Sequence, residues 1–336
     1  MITNGVFLLA SLVTILIFCA VFVNAIECLG KSYNLHQGII GSILAAVGTA
    51  LPETIIPVIA ILFSKGSEGA HAVGIGAIAG APFMLATLGF FVTGTAVVVY
   101  WLMGKRELRM KINSNIMSKD LLFFMIIYGT AIATSFFNGI TWLKVAVAIL
   151  LLLSYAIYLK MVIHSDSDMI EESEPLYISK YLKVEEHRYL IFFQLFLALF
   201  FIITGAHYFI KYVQSLSSAI GVSPLILSLI ITPIATELPE KLNSIIWVGR
   251  KKDTLALGNI TGAMVFQSCF PVVFGMLSTE WRIRGITLVS AVLALTSALV
   301  TFSWLKFFKN INPFILMAGG GLYLIFIVAL MSGIRA

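Results

Sequence analysis

The chain has 336 residues, of which 60% are hydrophobic and only 11% are charged, and its mean hydropathy is +1.01. A soluble protein of this length needs more charge to cover its surface, so the composition excludes that class and indicates a membrane protein. The net charge of +6 does not indicate nucleic-acid binding, because the basic residues lie in short loops between apolar runs.

Ten apolar runs follow one another along the chain, each near the roughly 20 residues that a helix needs to cross a bilayer. They are predicted at 5–26, 37–64, 71–103, 120–137, 142–163, 189–213, 222–248, 254–279, 284–305 and 312–332. The first run is longer than the apolar core of a signal peptide, which spans about 7–15 residues, so it is predicted to be a span. The sequence therefore predicts an all-α membrane protein with ten transmembrane helices.

Lysine and arginine side chains are distributed unequally between the two sets of loops. With the N-terminus outside, fifteen fall on the cytoplasmic side and six on the outer side, while Lys241 lies within a span. The positive-inside rule therefore predicts ten spans with the N- and C-termini outside. The short loops favour a prokaryotic inner membrane as the location.

An acidic stretch at 164–187 divides the ten spans into five and five. This gives a first repeat at 1–163, a cytoplasmic linker at 164–187 and a second repeat at 188–336. The motif Thr-x-Leu-Pro-Glu occurs twice, once in the second span at Thr49 to Glu53 and once in the seventh at Thr236 to Glu240. Because five is an odd number, equivalent elements enter the membrane from opposite sides. We therefore predict two inverted five-helix repeats with a site near the bilayer midplane where they meet.

Each Thr-x-Leu-Pro-Glu motif supplies oxygen atoms that suit a cation. Glu53 and Glu240 are carboxylates within spans, and a charge at that depth costs about 2.5–3.5 kcal/mol, which points to function. The threonine four residues earlier shares the helical face of the glutamate, and the proline frees the carbonyl of Gly48 or Ala235. Such a set suits a hard divalent cation, and Ca²⁺ better than Mg²⁺ because Ca²⁺ tolerates irregular cages. A proton relay through the two glutamates is the alternative.

A glycine pair follows each motif in the next span. Gly76 and Gly80 form the first Gly-x-x-x-Gly pair, and Gly258 and Gly262 form the second. Small residues at this spacing let helices approach closely, so the pairs are predicted to pack against the motif helices.

These motifs, together with Gly-Asn-Ile-Thr-Gly at 258–262, resemble the sodium/calcium exchanger family of the cation/calcium exchanger superfamily. That family carries two inverted α-repeats with Gly-Thr-Ser-Leu-Pro-Glu on the second and seventh spans. The resemblance covers nearly the whole chain and implies a secondary active calcium/cation antiporter, most simply a sodium/calcium exchanger with alternating access. It implies that Glu53 and Glu240 are the central calcium ligands, with further oxygens from Thr49, Thr236, Gly48 and Ala235, and a role for Asn259 within the matched motif.

Four positions that follow the glycine pairs depart from the family pattern. The serines expected after the glycine pairs are Ala81 and Ala263, and the side chains that would help to bind sodium are Leu85 and Gln267. Gln267 is reminiscent of the glutamine in the second repeat of calcium/proton exchangers. Calcium/proton exchange therefore stays open as an alternative to sodium/calcium exchange, and a passive cation channel on the same scaffold is a further alternative.

Glu237 replaces the serine of the second motif and adds a third carboxylate to the predicted site. Lys241 lies four residues later on the same helical face, a favourable spacing for an ion pair. The preferred interpretation is a Glu237–Lys241 pair that keeps the net charge of the site near minus two. The alternative makes Glu237 a ligand or a proton carrier.

The sequence contains no motif typical of an intramembrane enzyme, such as His-Glu-x-x-His or a catalytic Ser/His pattern. We therefore expect a transporter that is not an enzyme and needs no cofactor. Its transported ions are predicted to be Ca²⁺ and Na⁺ or H⁺, and its partners are these inorganic cations and the lipid bilayer.

Overall fold

The computed structural model describes residues 2–32, 51–63, 67–137, 139–163 and 175–333. Within these ranges the chain folds into twelve helices, and its one β-type contact is an isolated bridge between Met110 and Ile311. The helices are α1 (Ile2–Ser32), α2 (Leu51–Leu62), α3 (Glu68–Leu102), α4 (Ser114–Thr134), α5 (Thr141–Ile163), α6 (Tyr177–Leu182), α7 (Arg188–Ile220), α8 (Pro224–Thr236), α9 (Leu238–Gly249), α10 (Asp253–Ser278), α11 (Gly285–Phe308) and α12 (Pro313–Met331).

Eight of these helices are long and apolar enough to cross a membrane, and they coincide with eight of the ten predicted spans. This confirms the prediction of an all-α membrane protein. The second predicted span, at 37–64, enters the described part of the chain only at residue 51, where α2 begins. The seventh is not one helix, because α8 ends at Thr236 and α9 begins at Leu238.

The interruption of the seventh predicted span has a local cause. Pro239 has no N–H to donate to the carbonyl of Ala235, and Pro233 likewise cannot donate within α8. Between the two prolines, Glu237 adopts φ −93° and ψ 12°, which is outside the helical range. Two prolines six residues apart therefore divide the predicted span into α8 and α9.

α1 and α7 form an antiparallel pair. The ring of Phe7, near the start of α1, stacks on that of Tyr212, near the end of α7, with 5.2 Å between centroids. Further along, Phe18 stacks on Phe201 at 4.2 Å. A Cβ at Gly205 would lie 2.9 Å from the side chain of Ile15, so glycine allows the two helices to approach here.

The end of the acidic linker docks on this α1–α7 pair. Residues 164–174 lie outside the described part of the chain, but the linker continues into the short helix α6. The amide of Tyr177 donates to Asn24 Oδ1 at 2.8 Å, and the amide of Ile178 donates to Gln194 Oε1 at 2.9 Å. Asn24 and Gln194 also bond to each other at 3.0 Å, so one buried polar network joins α1, α6 and α7.

α3 and α10 form the centre of the bundle. Their most apolar segments are 78% and 72% buried, compared with 28% for α1 and α5. A Cβ at Gly275 of α10 would lie 2.8 Å from Ile78 of α3, and one at Gly89 of α3 would lie 3.5 Å from Ile260 of α10. The early part of α3 therefore meets the late part of α10, and the two central helices run antiparallel.

The first predicted glycine pair packs α3 against α8. A Cβ at Gly76 would overlap the carbonyl oxygen of Leu225, and one at Gly80 would overlap that of Leu229. Ser228 strengthens the contact by donating to the Val73 carbonyl at 2.7 Å. The predicted close approach to a motif helix is confirmed for this pair.

The second glycine pair has no comparably close neighbour in the described part of the chain. A Cβ at Gly258 would meet no described atom within 4 Å, and one at Gly262 would meet only the hydroxyl of Tyr158, at 3.7 Å. Close packing of the second pair against a motif helix stays a prediction.

Candidate cation site

The interruption between α8 and α9 lies midway along the stretch from residue 224 to residue 249. α8 has 13 residues and α9 has 12, which at 1.5 Å per residue places the break roughly 18–20 Å from either end. Glu237 occupies the break and Glu240 lies in the first turn of α9. The second motif is thus at mid-depth in the seventh predicted span.

Three carboxylates from the two halves of the chain converge at this break. Glu53 on α2 is 3% exposed, Glu237 is 0% exposed and Glu240 on α9 is 2% exposed. The side chain of Glu53 is close enough to those of Glu237 and Glu240 to be repelled by both. Glutamates from the two halves of the chain therefore share one buried, negatively charged region.

The carboxylate oxygens of this region are largely without partners among the described residues. Among the described residues, neither oxygen of Glu53, neither oxygen of Glu237 and not Oε2 of Glu240 receives a hydrogen bond. An unpaired carboxylate oxygen away from water is costly, and most buried polar groups in proteins are satisfied. Five carboxylate oxygens in this condition at one place are the pattern expected of a binding site rather than of a structural core.

Two of the predicted ligands sit beside these glutamates. Thr236, 0% exposed, approaches the Glu53 carboxylate, although its hydroxyl donates to the Thr232 carbonyl at 3.0 Å. Gln267 on α10 approaches Glu237, yet neither its Oε1 nor its Nε2 makes a hydrogen bond to the described residues. We call Glu53, Glu237, Glu240, Thr236 and Gln267 together the candidate cation site.

The remaining predicted ligands are placed differently or lie outside the described ranges. Asn259 donates from Nδ2 to the backbone carbonyl of Glu240 at 3.1 Å. The backbone of Ala235 forms the last turn of α8, one residue before its end. Gly48 and Thr49 of the first motif fall outside the described residues.

Lys241 brings a positive charge to this region. Its Nζ lies 3.7 Å from Oε2 of Glu237 and 3.4 Å from the carbonyl oxygen of Pro233. The predicted Glu237–Lys241 proximity is therefore present, at a distance longer than a good charged hydrogen bond.

Sequence reasoning missed one neighbour of the site. Cys19 on α1 is buried, 4% exposed, and lies close enough to Glu53 to feel its charge. An isolated cysteine carries no spacing signal, so only the packing of α1 against α2 reveals that it belongs to the surroundings of Glu53. Its position shows that the α1–α7 pair flanks the first-half carboxylate.

The donor set of the site is suited to a hard cation. Among the described residues, no three His, Cys, Asp or Glu side chains are arranged so that they alone hold a metal ion. The site offers carboxylate oxygens together with a threonine hydroxyl, a glutamine amide and the backbone at a helix break. Mixed oxygen donors of this kind are the ligands of Ca²⁺, which accepts six to eight oxygens in flexible geometry.

Comparison with known proteins agrees with this architecture. The family model for sodium/calcium exchanger proteins matches residues 4–164 and 190–332. An uncharacterized membrane protein of Methanocaldococcus jannaschii is 23% identical over 249 residues, which cover 73% of this chain and 72% of that protein.

Two solved structures share the fold over almost the whole chain. A crystal structure of the H⁺/Ca²⁺ exchanger CAX aligns with a TM-score of 0.70 and 17% identity, over 98% of this chain and 82% of the other. The sodium-calcium exchanger NCX_Mj, soaked with 2.5 mM Na⁺ and 10 mM Sr²⁺, aligns with a TM-score of 0.57 and 20% identity, over 97% and 98% of the two chains.

Proposed function

This chain belongs to the sodium/calcium exchanger family, and we propose that it is a secondary active calcium/cation antiporter whose ion binds between Glu53 and Glu240. The observation that carries the proposal is the convergence of these two glutamates, one from each half of the chain, with buried oxygens that lack partners among the described residues. Their burial is costly without a counter-charge, and a bound divalent cation supplies one.

The proposed architecture is ten transmembrane helices in two inverted five-helix repeats, at 1–163 and 188–336, joined by the acidic linker. The antiparallel crossing of α3 and α10 supports it, because these helices follow the first and second motif and would be equivalent elements of opposite orientation. The positive-inside distribution of Lys and Arg supports N- and C-termini outside, in a prokaryotic inner membrane.

Charge counting limits what the site exchanges. Three carboxylates and the Lys241 ammonium give a net charge near minus two, which one Ca²⁺ neutralises. Emptied of calcium, the site is neutralised by two monovalent cations or two protons. Exchange of one Ca²⁺ for two such ions would keep the buried site neutral in both halves of the cycle. A neutral site avoids the desolvation free energy of a net charge in a low-dielectric interior.

Sodium is the proposed coupling ion on the strength of the family, and protons are the alternative. Leu85 in α3 is fully buried and apolar, so it cannot replace an oxygen ligand for sodium. On the second-half side, Oε1 of Gln267, which has no partner among the described residues, can still serve as one. Loss of ligands mainly on the first-half side is the specific observation that favours protons.

The test is ⁴⁵Ca²⁺ uptake into liposomes that contain the purified protein, with an imposed sodium gradient, an imposed pH gradient, or neither. We expect uptake that requires one of the gradients and falls to the level of empty liposomes in Glu53→Gln and Glu240→Gln. These substitutions remove a ligand charge while keeping the size of the side chain.

Each pattern of uptake has a distinct meaning. Dependence on the sodium gradient establishes sodium/calcium exchange, and dependence on the pH gradient alone establishes calcium/proton exchange. Glutamate-dependent uptake without any gradient would mean that the protein is a passive channel and not an antiporter. Absence of glutamate-dependent calcium movement under all three conditions contradicts the proposed function.

A further inference from the structure

The ammonium group of Lys241 lies inside the protein rather than at its surface. Lys241 is 8% exposed, and it lies one residue beyond Glu240 in the first part of α9. Lysines in membrane helices usually extend their heads to the water interface, since a buried charge is expensive. Lys241 instead directs Nζ back toward the break between α8 and α9, where it contacts Glu237 and Pro233.

The geometry of this contact is poor for a pair that serves stability. The distance from Nζ to Glu237 Oε2 is 3.7 Å, and the hydrogen bond to the Pro233 carbonyl is long at 3.4 Å. Neither oxygen of Glu237 receives a hydrogen bond from the described residues. Buried ion pairs recover their desolvation cost only when the geometry is good and the remaining lone pairs are satisfied. Stability alone therefore does not account for a lysine here.

The groups around the ammonium are those that would bind a small free cation. The carboxylate of Glu237 and the backbone carbonyl of Pro233 lie beside Nζ. The amide of Gln267, whose oxygen has no partner in the described chain, approaches Glu237 in turn. A carboxylate, a backbone carbonyl and an amide oxygen are ligands for hard cations. The positive charge of Lys241 also acts on Glu240, so the ammonium contributes to the electrostatics of the candidate cation site.

We propose that the Lys241 ammonium occupies a monovalent-cation position of the candidate cation site, as a covalently attached substitute for a free ion. The inference rests on the proposed function, because it concerns the same site and names a residue that determines its ion content. Lys241 sets the number of free monovalent ions that the site holds, and it prevents one from binding next to Ca²⁺.

The substitution Lys241→Met tests this, because methionine fills a similar volume without the charge. Purified protein in detergent is saturated with CaCl₂, and bound ²²Na⁺ or ²⁰¹Tl⁺ is counted by equilibrium dialysis. With calcium in place, the wild-type protein is expected to retain no monovalent ion. Lys241→Met is expected to retain one per chain, because the Glu237 carboxylate and the Pro233 carbonyl then lose their cationic neighbour.

Two matched variants complete the experiment. Lys211→Met removes an exposed lysine of α7 and is expected to behave as wild type. The double variant Glu237→Gln, Lys241→Met removes both members of the pair, restores a net charge near minus two, and is expected to retain no monovalent ion with calcium bound. The inference is overturned if Lys241→Met, eluting as a monodisperse peak, retains no more ²²Na⁺ or ²⁰¹Tl⁺ than wild type.

The wild-type protein alone can also overturn the inference. If it retains one monovalent ion per chain beside bound calcium, the position is open to a free ion and Lys241 does not fill it. This outcome does not require any variant to fold. If instead the wild type binds no calcium, the proposed function fails, and the increment of one monovalent ion between wild type and Lys241→Met, counted without calcium, still tests the lysine.

Discussion

The side chains of Arg106 and Asp253 are buried, like the glutamates of the candidate cation site, but their hydrogen bonding is very different. Arg106 donates from Nη1 to Asp253 Oδ1 at 2.8 Å and from Nη2 to Oδ2 at 3.0 Å, a bidentate pair. Arg106 also donates to the Val248 carbonyl at 2.9 Å, and Asp253 accepts from the Lys111 amide at 2.8 Å. This cluster joins the loop after α3 to the end of α9 and the start of α10.

Asp120 provides a second buried carboxylate for the comparison. It is 2% exposed on α4, and its Oδ1 accepts from the Tyr158 hydroxyl at 3.1 Å while its Oδ2 accepts from the Thr261 hydroxyl at 2.6 Å. Both oxygens therefore have donors, from α5 and from α10. Glu53, similarly buried, has none among the described residues.

The contrast separates two uses of a buried charge. Where the fold supplies a donor for each carboxylate oxygen, the charge holds helices together, and removing one partner leaves the other buried without its hydrogen bonds. Where lone pairs converge without donors, the charge is available to a ligand, and the protein tolerates a cost in stability for the sake of function. Burial alone does not distinguish the two cases, whereas the hydrogen-bond pattern does.

The largest effect on stability is expected at the Arg106–Asp253 cluster. Arg106→Met leaves the Asp253 carboxylate buried without its bidentate partner, which is expected to lower the free energy of unfolding by about 3–5 kcal/mol. Reversible unfolding of the protein in mixed detergent micelles by SDS titration measures the change. Lys105→Met, at the exposed neighbouring position, is the matched control and is expected to change it by less than about 0.5 kcal/mol. A loss below about 1 kcal/mol for Arg106→Met would contradict a structural role for the pair.

A smaller change of opposite sign is expected at Glu53. In the ion-free protein, Glu53→Gln removes repulsion with Glu237 and Glu240, so the free energy of unfolding is expected to rise, by about 0.5–2 kcal/mol. Calcium should reverse the order, because at 100 times its dissociation constant a ligand stabilises the wild type by about 2.7 kcal/mol. The same SDS titration, with EGTA or with CaCl₂, measures both effects. If Glu53→Gln were destabilising in EGTA, as Arg106→Met is expected to be, the result would contradict the distinction between binding carboxylates and structural ones.

Much of this organisation could be predicted from local sequence. Apolar runs of sufficient length predict eight of the long helices, because hydrophobicity sustained over about 20 residues matches the thickness of the hydrocarbon core of a bilayer. Pro239 of the second motif indicates a disturbed helix, and the spacing of Glu237 and Lys241 indicates their proximity. The small side chain of Gly80 likewise indicates a close helix contact, which α8 provides.

The partners of the buried charges could not be predicted in this way. Arg106 and Asp253 are 147 residues apart, and in sequence Arg106 is only one of several loop cations that orient the protein. Asp120, near the start of a predicted span, has no spacing relation to Thr261, which is 141 residues away. Such pairs depend on how helices cross, which no local periodicity encodes. For the same reason the sequence does not predict that Asn259 Nδ2 donates to the backbone carbonyl of Glu240, and a role for Asn259 as a ligand stays a prediction.

The central claim is that Ca²⁺ binds between Glu53 and Glu240, and equilibrium binding of ⁴⁵Ca²⁺ to purified protein tests it most directly. Four proteins are compared: wild type, Glu53→Gln, Glu240→Gln and Asp120→Asn, the last a buried carboxylate that is fully hydrogen-bonded. We predict that wild type and Asp120→Asn bind one Ca²⁺ per chain. For both glutamate variants we predict an affinity at least about 100-fold lower, which is equivalent to about 2.8 kcal/mol. Unchanged affinity in Glu53→Gln or Glu240→Gln, or an equal loss in a folded Asp120→Asn, would contradict the claim.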